Sequence, residues 1–71
     1  MPTTCRLRGR QLWLKIVREQ QRWIAEHGGD LIGYLANYHG RHGRTEENAR
    51  EIYNADVAYL KQAETRLAAC R

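Results

Sequence analysis

The chain has 71 residues, 42% hydrophobic and 28% charged, with 12 Lys and Arg against 8 Asp and Glu for a net charge of +4. That length allows one domain, and the two Trp, four Tyr and good supply of Leu, Ile and Val exclude a disordered chain. No run of about 18 apolar residues occurs, so no membrane span is expected. A chain this short buries only about 60% of its unfolded surface, so its stability is marginal unless a disulfide, a metal or self-association adds to it.

The N-terminal stretch MPTTCRLRGRQLWLKIV joins arginines to apolar residues. Lys15 interrupts the apolar part, Arg18 and Glu19 follow, and no small-residue cleavage site appears. This is not a signal-peptide pattern. The expected setting is therefore cytoplasmic and reducing, with Cys5 and Cys70 as thiols.

From about residue 9 to 27 the spacing is helical. Trp13, Ile16, Val17, Gln20, Trp23, Ile24 and His27 recur every three or four residues and form one stripe, with Leu12 on its margin and Leu14 off it. Arg8, Gln11, Lys15, Arg18 and Arg22 occupy the opposite face. Gly28 and Gly29 stop this helix, because glycine enters the left-handed region at little cost. Asp30 is placed to cap a short second helix, over about residues 31–39. Leu31, Tyr34, Leu35 and Tyr38 form its inner face, with Ile32 beside it. Gly33 costs roughly 1 kcal/mol against alanine inside a helix; close packing of another backbone would account for it. Residues 40–44 read as a basic loop. Thr45 then caps a third helix, over about residues 46–70, with Glu46 and Glu47 favourably placed in its first turn. Its stripe is Ala49, Ile52, Tyr53, Asp56, Tyr59, Leu60, Ala63, Leu67 and Cys70.

These elements predict a single all-α domain over residues 1–71. Helices 1 and 3 are long and antiparallel, and the short helix 2 packs at the closed end. Positions whose numbers sum to about 75 then lie level, which puts Cys5 near Cys70 and Gln20 near Asp56. A carboxylate inside an apolar stripe needs partners. Asp56, with Gln20 and Asp30, is therefore expected to make structural polar contacts. Gln20, a tyrosine hydroxyl, a Trp ring N–H or the amides of helix 2 are the candidate donors.

Function is harder to read. His27, His39, His42 and Asp30 have metal-binding side chains, yet no CxxC or HExxH occurs, and arginines adjoin the histidines. No metal or cofactor is expected; His27 packs or caps the end of helix 1, and His39 and His42 are solvated. A bridge between Cys5 and Cys70 would be worth roughly 4 kcal/mol in the chain-entropy model, but would need an oxidising setting. No acid–base pair, activated nucleophile or phosphate loop appears, so an enzyme is not expected.

Two surfaces remain as leads. Arg8, Lys15, Arg18 and Arg22 on helix 1, with Arg41 and Arg44 in the loop, form a basic ridge that could neutralise phosphates. The three helices carry no helix-turn-helix signature, and a solvated face accounts for the same charges. The second lead is aromatic. Two or three helices cannot fully cover Trp13, Trp23, Tyr34, Tyr38, Tyr53 and Tyr59, and an uncovered aromatic surface favours a protein partner or self-association.

The pattern H-G-G-D-L-x-G-Y over residues 27–34, followed by Tyr38 and Gly40, Ile52-Tyr53-x-Ala55-Asp56 and Ala63-Glu64-x-Arg66-Leu67, resembles small uncharacterised helical proteins of actinobacteria and their phages. The resemblance spans about residues 24–69. It implies a small intracellular accessory protein of phage or host, and carries no activity with it. The expectation is therefore a non-enzymatic protein that binds another protein or self-associates, with electrostatic nucleic-acid binding as the alternative.

Overall fold

The computed structural model of the chain describes residues 7–69, with side chains from residue 9 onward. It is all-α. Helix α1 spans Leu7–Glu26, α2 spans Leu31–Tyr34 and continues directly into a π-helix over Leu35–Arg41, and α3 spans Glu46–Ala69. The long helices α1 and α3 pack against each other in antiparallel directions. Gln20 meets Asp56 near the closed end, and Arg66 lies over the Trp13 ring further along, so α1 positions fall as their α3 partners rise. Cys5 and Cys70 both lie outside the described residues, as does the side chain of Arg8.

Local chemistry sets the helix ends. At the end of α1, the Gly29 amide donates to the Ile24 carbonyl at 2.8 Å, and Gly28 and Gly29 both have positive φ (+139° and +83°). This closes the helix by the bond that a residue two past the cap makes back to its last full turn. His27, expected as the last helical residue, lies in that closing turn instead. Asp30 caps α2, its carboxylate accepting from the Gly33 amide at 2.8 Å. Thr45 caps α3, its hydroxyl oxygen accepting from the Asn48 amide at 3.0 Å.

The second helix departs from expectation in kind and in length. Its first turn is α-helical, and from Leu35 it widens to the π form and runs to Arg41. Gly40 therefore lies within the helix, and the loop expected at 40–44 shrinks to its last few residues. The stop is Gly43, at φ +66°, followed by the Arg44 amide donating to the Tyr38 carbonyl at 3.0 Å. That bond spans six residues, one more than the equivalent closure of an α-helix, in step with the wider coil.

Gly33 is explained by its neighbour. A Cβ on Gly33 would overlap the Gly28 carbonyl and lie 2.7 Å from Gly28 Cα, while one on Gly28 would overlap Gly33 and the Tyr34 amide. Two backbones thus meet without side chains between them. This contact docks the start of α2 against the end of α1, and the direction in which Tyr34 enters the interior follows from it.

Among the described residues the buried apolar set is small: Val17, Ile24, Tyr34, Ala49 and Ala63. The two alanines are almost completely enclosed, at 0% and 1% exposure. Tyr34 is the one large side chain among the described residues that is fully enclosed, and burying a ring of that size contributes about 2–3 kcal/mol. The molecule measures 44 × 21 × 13 Å, with a radius of gyration of 14.8 Å, against about 11 Å for a compact domain of this length. A body one helix thick covers only the centre of each stripe. Trp23 and Tyr59, both expected on inner faces, are consequently about half exposed, and Ile32 is 78% exposed. Leu14, expected off the stripe, is partly covered.

Candidate functional site

Asp56 ties three helical segments together at the closed end. Its Oδ2 accepts from the Tyr34 hydroxyl at 2.8 Å and from the Trp23 ring N–H at 3.1 Å. Gln20 also reaches this residue, but donates to the Asp56 backbone carbonyl at 3.0 Å rather than to the carboxylate. The α2 amides, considered as carboxylate donors, are instead served by Asp30. One carboxylate thus links α1, α2 and α3. Burial first, and then the hydrogen bond to this carboxylate, push the Tyr34 pKa well above the usual tyrosine range. Burial and the Asp56 charge raise Tyr38 in the same direction, with the Arg44 guanidinium working against them.

An aromatic ladder runs beside that joint. The Trp23 and His27 rings stack at 3.9 Å, and His27 lies nearly parallel to Tyr38 at 6.0 Å. Tyr34 and Tyr38 are 5.7 Å apart, Tyr38 and His42 likewise, and Tyr34 meets Tyr53 edge-on at 5.1 Å. His27 Nδ1 is 2.7 Å from the Trp23 carbonyl. A carbonyl only accepts, so Nδ1 carries the hydrogen and Nε2 faces away. Asn37 binds the His27 carbonyl at 3.4 Å. The four-residue spacing of Tyr34, Tyr38 and His42 was the available sequence signal for this ladder; placing residues 40–44 in a loop hid it. His42 is exposed, as is His39, which lies within the π-helix.

Between His27, Tyr38, His42 and Arg44 lies a cleft of about 470 Å³. A smaller hollow of about 240 Å³, also bordered by His27, reaches Asn37 and Arg41. Among the described residues, no three His, Cys, Asp or Glu side chains converge as metal ligands would.

The expected basic ridge is only partly free. Lys15 and Arg22 each have a glutamate one turn on, Glu19 at 4.0 Å and Glu26 at 3.2 Å. Arg18 and Arg41 are exposed, with no carboxylate within ion-pair distance among the described residues. Arg44 donates to the Asn48 side chain at 3.1 Å, and so belongs to the cleft more than to the ridge on α1.

A separate apolar strip follows one flank of the hairpin. Leu12 and Trp23 are 56% and 47% exposed, and their eleven-residue separation, about three turns, puts them on the same side of α1. On α3, Tyr59 lies one turn from Asp56, which Trp23 reaches, and two turns from Arg66, which covers Trp13. Tyr59, 47% exposed, therefore borders the same strip. Among the described residues no helix is long and apolar enough to cross a membrane.

Comparison with known proteins found no matching family model, no matching curated protein and no matching solved structure.

Proposed function

We propose that this chain is a small non-enzymatic protein that works by binding protein, with a second copy of itself as the first partner. The observation that carries the reading is the aligned exposure of Leu12, Trp23 and Tyr59 on one flank of a hairpin with few buried residues. The surface area points the same way. The chain exposes 5731 Å², where a compact monomer of its mass would expose about 4,600 Å². The excess is comparable to the ~800 Å² that each partner contributes to a standard interface. Covering the strip would give the thin hairpin a second layer and bury large apolar side chains that the monomer leaves wet. The resemblance to actinobacterial and phage proteins adds the proposal that the chain is a phage or host accessory factor.

Sedimentation analysis across a range of concentrations tests this reading. The native chain is expected to self-associate, with the salt-insensitivity of an apolar contact, and the Leu12→Glu/Tyr59→Lys variant is expected to stay monomeric while remaining helical. A native chain that is monomeric throughout, and that captures from host lysate nothing the variant fails to capture, refutes it. Nucleic-acid binding through Arg18, Arg22, Arg41 and Arg44 is the second reading. It is weakened by the glutamates that pair with Lys15 and Arg22, and salt-dependent duplex binding lost in Arg18→Ala/Arg22→Ala would favour it.

A further inference from the structure

The cleft between His27, Tyr38, His42 and Arg44 adjoins the apolar strip through the stacked Trp23 and His27 rings, but none of its four lining residues belongs to the strip, and its chemistry is distinctive. Among the described residues no carboxylate lines it. A guanidinium, a phenol and two imidazoles do; Arg44, Tyr38 and His42 can donate hydrogen bonds into it, while the His27 Nδ1–H is taken by the Trp23 carbonyl. We propose that this cleft is a binding site for a small phosphate monoester, with the phosphate held by Arg44 and His42 and the organic group lying against the Tyr38 and His27 rings.

Four observations support the assignment. First, Arg44 is pre-positioned: one guanidinium nitrogen is anchored on Asn48 Oδ1 at 3.1 Å, leaving the remaining N–H groups to form the forked pair of bonds that suits a phosphate. Second, the rings are ordered before any ligand arrives. His27 is stacked on Trp23 and its tautomer is fixed by the Trp23 carbonyl, while Tyr38 is bracketed by His27, Tyr34 and His42. Third, part of the surrounding acid is engaged: Asp56 Oδ2 accepts from Tyr34 and Trp23, Glu46 pairs with Arg50 at 3.1 Å, and Glu26 pairs with Arg22; Glu47 has no ion-pair partner among the described residues, and the Asp56 charge still acts on Tyr38. Fourth, about 470 Å³ lies within the usual range for small-ligand sites and exceeds what a bare phosphate fills. The π-helix contributes by carrying Tyr38 on the ladder and ending just before His42, and such widened turns recur at functional sites.

The test is an NMR titration of the full chain with inorganic phosphate and with phenyl phosphate, ionic strength being held constant with sodium chloride. Saturable shifts centred on the His42 and Tyr38 ring signals are expected, with phenyl phosphate binding at least threefold tighter than phosphate. Arg44→Ala and His42→Ala should each weaken binding at least fivefold, Arg44→Lys should lose less, and Arg18→Ala should leave it unchanged. His42 and Arg44 are both exposed, so these variants should keep the native circular dichroism spectrum. Non-saturating shifts overturn the proposal. So does a loss on Arg18→Ala equal to that on Arg44→Ala, which would mark diffuse charge attraction. Phenyl phosphate binding no tighter than phosphate removes the organic subsite and with it the monoester assignment. Tighter binding of a short single-stranded oligonucleotide through the same residues replaces the small ligand with nucleic acid. Sedimentation of the Arg44→Ala variant separates this result from the self-association reading, which needs neither residue.

Discussion

Replacing Asp56 with alanine removes the carboxylate that joins all three helical segments. Two donors lose their acceptor, and they lose it unequally. The Tyr34 hydroxyl belongs to a fully buried residue, so leaving it unpaired costs about 1–3 kcal/mol. Trp23 is half exposed and its ring N–H can turn to water, which limits its share to under about 1 kcal/mol. The Gln20 contact to the Asp56 backbone carbonyl survives the change. The expected loss is therefore about 3 kcal/mol, a large part of the roughly 4–10 kcal/mol available to a chain of this size. For so small a domain that corresponds to a fall in Tm of about 15 °C. Thermal melting followed by far-ultraviolet circular dichroism reads it directly. A second measurement isolates the hydroxyl: Tyr34→Phe should destabilise the native chain by about 1–2 kcal/mol, yet be neutral or stabilising in the Asp56→Ala background, where the orphaned group is removed. A Tm fall under about 3 °C for Asp56→Ala, or an equal cost of Tyr34→Phe in both backgrounds, would refute the joint.

The glycines give contrasting expectations. Gly33→Ala drives a methyl group into the Gly28 backbone and should cost about 3 kcal/mol or prevent folding, whereas Gly40→Ala, which meets nothing within 4 Å, should stabilise by about 0.5–1 kcal/mol, both read by chemical denaturation. Thr45→Ala should cost about 1 kcal/mol through loss of the α3 cap, and Thr45→Ser should restore most of it in the same assay. In alkali, Tyr34 and Tyr38 hold their protons more tightly folded than unfolded. Their contribution is thus complete below the unfolded tyrosine pKa of about 10, and is lost as pH rises from there through the higher folded values. Denaturation midpoints should fall above about pH 10, and Tyr34→Phe should flatten that fall; a midpoint that is level or rises there contradicts the burial of Tyr34.

What the sequence determined by itself is what depends on neighbours within about four residues. The Gly28–Gly29 stop, the Asp30 and Thr45 caps and the two long amphipathic stripes are all of this kind, because capping and helical periodicity are local. An antiparallel hairpin then follows from two such stripes joined by a short segment. Asp56 also stood out, since a carboxylate in an apolar stripe demands partners. Only the tertiary structure decided which partners: the carboxylate takes Trp23 and Tyr34, while Gln20 is left with the backbone carbonyl. It alone supplied Gly28 as the backbone that Gly33 must accommodate, and the π-helix that carries residues 40 and 41 out of the expected loop. Exposure was beyond the reach of the stripes as well. A stripe marks the apolar side of a helix, but the width that becomes covered depends on how many helices pack there. With one layer on each side of the seam, Val17 and Ile24 are enclosed while Trp23 and Tyr59 stay half in water. The exposed apolar strip and the cleft beside Tyr38 arise from that same thinness: too few helices meet here to close over the aromatic residues the sequence provides.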